Sequence, residues 1–224
     1  VLDDQIRAGE SRIAVEPYRV NQISGVTIDM PSFLTDLHQV KNRQGAERYV
    51  ARLVEFGRVL RETKARVEHD RRDGITPPDF IIDKTVAAMR SFISGGAEKN
   101  ILVTSFRPKV EAFESMNYKT RDKLGADAQA AVESQVIPGY EALIALFEEM
   151  RKTAPHDAGV WRLPDGAEYY AERLNAETTT NLTADQIHEI GLTEVTRIEA
   201  EMTFLLDALR VPAGPSVGVR VDNM

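Results

Sequence analysis

The sequence predicts an all-α fold, an irregular array of several helices, some of them long and amphipathic, with one helix kinked by a proline. Apolar residues recur at spacings of three and four over several segments, which is the pattern of one helix face. Capping side chains, glycines and prolines mark where these segments begin and end. The only candidate strand is 217–221, near the end of the sequence.

The composition is that of an ordinary globular protein. Of the 224 residues, 28% are charged and 42% are hydrophobic, which suits one large domain or two small ones. The net charge of −7 and the pI of about 5.3 argue against a nucleic-acid partner, whose binding requires a basic surface. The lack of cysteine excludes disulfides, thiolate zinc sites and cysteine nucleophiles within this sequence. No apolar run is long enough to span a membrane.

We expect two regions, a helical domain over 1–209 and a Gly/Pro-rich tail over 210–224. The sequence begins at Val1 without an initiator methionine or a signal-peptide pattern. This beginning predicts either that a leader has been removed or that the chain is an internal fragment.

The first long helix is predicted over 45–73. Before it, 18–25 has the composition of a connector, and Pro31 opens a short segment that ends near Val40. The long helix has Gly57 as its weak point, and its apolar face is formed by Tyr49, Leu53, Phe56, Leu60 and Val67.

Glycine and proline residues separate this helix from the next one. Gly74 is predicted to end the first helix from the C′ position, and Pro77 prevents its continuation. Pro78 suits the first position of a second helix over 79–93. The apolar face of that second helix is formed by Ile82, Val86, Met89 and Ile93.

A proline interrupts the next long helical pattern. Helical periodicity covers 126–153, but Pro138 and Gly139 lie inside it. Because a proline in the interior of a helix costs about 3 kcal/mol, we expect a kink or a break at this position.

Two well-marked helix starts lie between 163 and 202. Asp165 is a candidate N-cap with Glu168 three residues later, and Thr183 repeats this capping box with Gln186. The helix after Thr183 carries an apolar stripe, which we expect to face the core and to need several partner helices: Ile187, Ile190, Val195, Ile198, Met202, Leu205 and Leu209.

The dipeptide His188-Glu189 begins like the zinc-binding helix HExxH, in which two histidines four residues apart hold the metal and the glutamate acts as base. Leu192 stands where the second histidine would be, so the motif is incomplete. Two other acid–histidine pairs have helical spacing but lack a third ligand, namely Asp185–His188 and His69–Asp73. We therefore assign no metal ligand and no catalytic residue in this sequence.

Two remaining features receive structural interpretations. His38 and His156 are isolated in the sequence, and we expect both on the surface. Residues 214–218 spell G-x-S-x-G, but a nucleophile elbow needs a strand before it, a helix after it and a histidine further on. Neither a helical pattern nor a histidine follows, so we interpret the motif as a Gly/Pro loop.

Tyrosines and threonines of the first capped helix are the candidate substrate-binding residues: Tyr169, Tyr170, Thr178 and Thr179. One tyrosine should face the core and the other should face the surface or a cleft. The three threonines at 178–180 are β-branched and favour a turn between the two capped helices. Packing and turn chemistry remain the alternative to a role in a cleft.

The run LPDGAEYYAERLNAETTTNLTADQIHEIGLTEVTRIEAEM, at 163–202, closely resembles the bacterial domain-of-unknown-function family 885. Earlier segments are similar as well, namely YRVNQISGV, PSFL, AERYVARL, GITPP and IPGY. The resemblance covers most of the sequence, and its motifs are specific in combination rather than singly. The residues after Leu209 depart from the pattern of the family.

The resemblance implies a longer helical protein that is similar to zinc metallopeptidases, with many members described as lipoproteins. The metal site expected in the family is a His-Glu-x-x-Pro-Gly-His helix with a later Glu, in the C-terminal half. This sequence lacks that motif and resembles the N-terminal half, so no catalytic or metal residue is carried over.

Two functions therefore stand as alternatives. The chain is either the substrate-cleft half of a zinc-dependent peptidase-like hydrolase or a non-catalytic helical binding or scaffold module. In the first case the partner is a peptide-like or other small substrate, zinc is bound outside this chain, and the fragment alone is inactive. The resemblance implies the periplasm or cell envelope, with the cytoplasm as the alternative. Apolar stripes left bare in a fragment would favour a homodimer.

Overall fold

The computed structural model describes residues 17–113 and 115–224, and these residues form two compact units. The larger unit contains the described residues up to Gly166, and the smaller contains Ala167–Met224. The described residues contain helices and no strand, apart from one isolated bridge between Val20 and Gly25. The all-α prediction is confirmed.

The larger unit consists of helices of very different length. Its α-helices are α1 (Val26–Ser32), α2 (Arg43–Arg72), α3 (Asp79–Ile93), α4 (Gly96–Lys99), α5 (Ile101–Thr104), α6 (Phe106–Glu111), α7 (Tyr118–Ala131) and α8 (Ile137–Arg151). Two π-helical turns, Phe33–Leu37 and Val132–Val136, follow α1 and α7, and a short 3-10 helix lies at Val160–Arg162. From the unit boundary onward the helices are α9 (Gly166–Thr178), α10 (Ala184–Ala208) and α11 (Val217–Asp222).

Local signals set both ends of α2. The side chain of Asn42 accepts a hydrogen bond from the backbone N–H of Gly45 at 2.9 Å, which caps the first turn. At the other end Gly74 has a φ of 84°, and the N–H of Ile75 donates to the carbonyl of Asp70 at 2.9 Å. This Schellman arrangement confirms the predicted stop at Gly74. Pro78 lies one position earlier than predicted, as the N-cap of α3.

The core of the larger unit lies where α2, α3, α7 and α8 pack together. Tyr49 stacks on Phe106 with ring centroids 4.3 Å apart, and its hydroxyl donates to the carbonyl of Leu102 at 2.8 Å. Tyr140 stacks on Phe92 at 4.7 Å. The largest fully buried side chains include Tyr49, Tyr140, Phe56, Phe106, Phe147, Leu53 and Leu60. These side chains form the hydrophobic core of the larger unit.

The predicted disturbance at Pro138 takes the form of the π-helical turn Val132–Val136 directly before α8. Proline is tolerated there because it lies in the first turn of α8, where its missing N–H is not needed. Gly57 of α2 lies against this turn, and a Cβ added to it would lie 2.7 Å from the carbonyl oxygen of Gln135. Gly57 is therefore the point of closest approach between the two segments rather than a weak point of α2.

Two further sequence-based expectations, for His38 and for 217–221, are wrong. His38 is buried, with 6% of its surface exposed, because Gly45 and Arg52 both bind its ring. The segment 217–221 is helical, since the side chain of Ser216 caps α11 by accepting from the N–H of Val219 at 3.3 Å. The apolar stripe of α10 does not face a core within the part of the chain that the structure describes.

The smaller unit confirms one capping box. The hydroxyl of Thr183 accepts from the N–H of Gln186 at 3.3 Å, and the Gln186 side chain accepts from the N–H of Thr183 at 2.9 Å. At the other end of α10, Leu206 is buried, and the Arg220 side chain donates to Asp207 at 2.7 Å and to the carbonyl of Val211 at 2.9 Å. Arg220 thus fastens α11 to the end of α10.

Candidate functional site

The four predicted substrate-binding residues lie at opposite ends of α9. Tyr169 and Tyr170 belong to its first turns, Thr178 is its last residue, and Thr179 follows it. Thr178 lies nine positions after Tyr169, which corresponds to about 13.5 Å along the helix axis. The structure therefore groups the two tyrosines with each other and the threonines with each other, but does not bring the two pairs together.

The two tyrosines differ in exposure. Tyr169 is half-buried, whereas Tyr170 has 49% of its surface exposed. Adjacent positions on a helix point about 100° apart, which accounts for the difference. Within the described residues the Tyr170 hydroxyl has no hydrogen-bond partner, so it is the phenol of this pair that a ligand could reach.

The threonines form the turn between α9 and α10. Thr179 has a φ of 55°, and its N–H donates to the carbonyl of Asn175 at 2.8 Å. The Thr178 hydroxyl donates to the carbonyl of Leu174 at 2.7 Å and lies 2.9 Å from the Thr180 hydroxyl. The amide nitrogen of Asn175 closes the turn by donating to the carbonyl of Thr180 at 2.7 Å. These hydroxyls act first as turn-forming groups.

A separate cleft of about 350 Å³ lies in the larger unit, between α1, α3 and α8. Its walls include Thr27, Thr85, Met89, Phe92 and Tyr140. The Tyr140 hydroxyl donates to the carbonyl of Thr27 at 2.7 Å, and burial raises the pKa of this phenol above its ordinary value. The group is therefore a neutral donor rather than a base. Thr27 and Tyr140 are 113 residues apart, so sequence reasoning had no local signal for this cleft.

An aspartate–histidine pair lies at the start of α3. Nδ1 of His156 is 2.9 Å from Asp79, whose second oxygen is 3.7 Å from the guanidinium of Arg151. Desolvation opposes ionisation of Asp79, but the hydrogen bonds from His156 and from the N–H of Phe80 outweigh it, so the pKa of Asp79 is lowered. His156 is exposed as predicted, yet it is not isolated, because Asp79 fixes the orientation of its ring.

The acidic and histidine side chains of the described residues come together in pairs. Within 17–113 and 115–224 no three His, Cys, Asp or Glu side chains lie close enough together to share a metal ion. The pairs His156–Asp79 and His69–Asp73, at 2.9 and 3.1 Å, supply two ligands each. His188 and Glu189 are exposed on α10.

No helix among the described residues combines the length and the apolar character that crossing a membrane requires.

Comparison with known proteins identifies the relatives of the chain. A family model described as "Bacterial protein of unknown function (DUF885)" matches residues 1–218. The crystal structure of a putative lipoprotein from Colwellia psychrerythraea is similar, with a TM-score of 0.83 and 27% identity. That match covers 93% of this chain but 36% of the Colwellia chain, so this chain spans little more than a third of that protein. No curated protein matches the sequence. The chain belongs to the bacterial family of unknown function DUF885.

Proposed function

We propose that the chain is the helical, substrate-cleft part of a cell-envelope protein that acts as a zinc-dependent, peptidase-like hydrolase. Zinc and the catalytic residues are supplied by polypeptide outside this chain. The proposal is supported by the family to which the chain belongs, because the sequence resemblance implies a likeness of that family to helical zinc metallopeptidases. It is also supported by the similar structure being that of a putative lipoprotein. Tyr169, Tyr170, Thr178 and Thr179 are the proposed substrate contacts, with Tyr170 the most accessible.

One observation carries the proposal furthest. The larger unit has a buried hydrophobic core of its own, whereas α10 presents a long row of apolar side chains to solvent. A soluble helix that is apolar along one face normally buries that face. The chain is therefore suited to work as one part of a larger protein, with α9 and the threonine turn beside the surface that joins the parts.

The alternative is a non-catalytic helical binding or scaffold module. This reading is favoured by the threonine hydroxyls, which bind within their own turn, and by the Tyr140 hydroxyl, which holds α8 to the carbonyl of Thr27. In such a module the exposed apolar face would bind a partner protein or a second copy of the chain.

The hydrolase proposal is tested with the complete gene product that contains this chain. We expect cleavage of a fluorogenic peptide library in the presence of Zn²⁺ and loss of cleavage after chelation with 1,10-phenanthroline. Tyr170→Phe should raise KM with little change in kcat, because it removes a hydroxyl that contacts substrate but not the reacting atoms.

The matched control is Tyr118→Phe, since Tyr118 is an exposed tyrosine of the larger unit and is not one of the four proposed substrate contacts. Peptide binding without cleavage at saturating Zn²⁺ would favour the module over the hydrolase. Equal KM values for the two variants would show that the Tyr170 hydroxyl does not contact the substrate. Fractionation of the source cells, with an antibody against the chain, tests the envelope location.

A further inference from the structure

The exposed face of α10 is continuous over almost the whole helix. Its apolar residues recur at helical spacing, and the row that they form is called the α10 face: Ile187, Ile190, Val195, Ile198, Met202, Leu205 and Leu209. The row extends over about 33 Å, at 1.5 Å per residue. Five of its members have between 44% and 63% of their surface exposed, and Ile187 and Met202 are half-buried.

The side of α10 away from this row is mainly polar, although Leu192 and Phe204 lie outside the row and are exposed as well, at 50% and 73%. The hydroxyls of Thr193, Thr196 and Thr203 each donate to the carbonyl four residues earlier. Arg197 pairs with Glu194 and Glu201 along one flank. Contiguous apolar patches bordered by polar residues mark surfaces that bind other protein. The α10 face has both properties.

Gly191 lies within the α10 face, at the same angular position as Leu209. A Cβ added to Gly191 would meet no atom within 4 Å, so nothing in the described structure requires a glycine there. Glycine inside a helix is unfavourable relative to alanine, and its usual benefit is the close approach of another chain segment. The glycine therefore indicates where a partner backbone would come closest.

We propose that the α10 face is the docking surface for the part of the longer family protein that lies outside this chain. The similar Colwellia protein matches 93% of this chain with only 36% of its own length, so most of its polypeptide lies elsewhere. An apolar surface on that remaining polypeptide is the occupant that we assign. Because that surface belongs to the same polypeptide, it would bind the α10 face intramolecularly, at a high effective concentration.

A second copy of this chain is the less favourable occupant. The chain carries a net charge of −7, and like-charged copies repel each other. Docking within one polypeptide does not require two identical acidic chains to associate. The inference requires that the gene product extend beyond this chain, but it holds whether or not that protein hydrolyses peptides.

The test uses single cysteines, because the chain has none of its own. Ile198→Cys places a thiol on the α10 face, and Thr196→Cys places one on the polar side two residues away. Both positions are exposed, so both variants should fold. Maleimide labelling rates are measured by peptide mass spectrometry in the 224-residue chain and in the complete gene product.

We expect the two cysteines to label at similar rates in the 224-residue chain. In the complete gene product the cysteine at 198 should label at least about tenfold more slowly than the cysteine at 196, through burial of the face. Equal rates in the complete protein would overturn the proposal. If the cysteine at 198 in the 224-residue chain labelled more slowly as the chain concentration rose, the occupant of the α10 face would be a second copy, and the proposal would be overturned.

Circular dichroism and melting curves verify that each variant is folded. If Ile198→Cys fails this check, Leu205→Cys takes its place on the face, again compared with Thr196→Cys. Hydrolytic activity plays no part in the readout, so failure of the docking proposal and failure of the hydrolase proposal are distinguishable.

Discussion

The guanidinium of Arg52 donates a hydrogen bond to Nδ1 of His38, and Nε2 of the same ring lies 3.1 Å from the carbonyl oxygen of Gly45. Because a carbonyl only accepts, Nε2 carries the proton and Nδ1 is the acceptor. The Arg52 guanidinium also lies 5.1 Å from the ring centre of Phe33. A neutral histidine thus joins the π-helical turn Phe33–Leu37 to the first turns of α2.

The first prediction concerns the pH dependence of stability. Burial lowers the pKa of His38 below its ordinary value of 6.5, and the positive charges of Arg52, Lys109 and Arg48 act in the same direction, against the bond to Gly45. The unfolded chain therefore binds a proton at a pH where the folded chain does not. The free energy of unfolding should fall as pH drops from 6.5 toward the lowered pKa.

Urea unfolding from about pH 7 to about pH 5 measures this effect, with His38→Gln as the comparison. The glutamine does not titrate, so the variant should lose less stability over this range than the parent chain. Parallel pH profiles for the two proteins would show that His38 does not control the slope.

The second prediction concerns two helical glycines that should respond to alanine in opposite directions. Gly57→Ala should destabilise by about 1–3 kcal/mol, because the new methyl group would lie 2.7 Å from the carbonyl oxygen of Gln135. In the 224-residue chain, Gly191→Ala should stabilise by up to about 1 kcal/mol, because its methyl group meets no neighbour there and alanine favours the helix. Melting curves of both variants test this, and stabilisation by Gly57→Ala would contradict the close packing of α2 on the π-helical turn.

The third prediction concerns a buried hydroxyl. Tyr140→Phe removes the donor to the carbonyl of Thr27 and leaves that acceptor unpaired, which should cost about 1–3 kcal/mol. Tyr118→Phe makes the same chemical change at an exposed position and should leave the unfolding midpoint unchanged. If chemical denaturation gave equal midpoints for the two variants, α8 would not depend on this bond to the N-terminal region.

The fourth prediction concerns the start of α10. Thr183→Ala should cost about 1 kcal/mol, because the alanine cannot accept from the N–H of Gln186. Thr183→Ser keeps the hydroxyl and should lie within a few tenths of a kcal/mol of the parent. Hydrogen exchange of the amides in the first turn of α10 reports the loss locally. Unchanged exchange in Thr183→Ala would mean that the helix begins elsewhere.

Local chemistry allowed much of this fold to be predicted. The helix predicted over 79–93 is α3 (Asp79–Ile93), and the one predicted over 45–73 is α2 (Arg43–Arg72). The same holds for the capping box at Thr183. In each case the groups that decide the boundary lie within about one helical turn of it, where sequence order is also spatial order.

Features that depend on distant partners escaped prediction. His38 was expected on the surface because its partners Gly45 and Arg52 meet it only after the chain turns into α2. The cleft at Tyr140 depends on a segment 113 residues away. The apolar stripe of α10 was recognised, but spacing shows only that one face is apolar and does not show what covers it. The assignment of Tyr169, Tyr170, Thr178 and Thr179 to a substrate site stays a prediction.

The π-helical turn Val132–Val136 determines which side of α8 faces α2. Buried side chains recur four residues apart across this region, at Leu124, Ala128, Val132, Val136 and Tyr140. In an ideal α-helix each such step rotates the side chain by about 40°, so the row would turn away from α2. The π-helical turn contains more residues than an α-helical turn, which compensates for this rotation and keeps the buried row on the side of the helix that faces α2. Removing one residue from this turn would therefore rotate α8 about its own axis, so that different side chains of α8 would face α2.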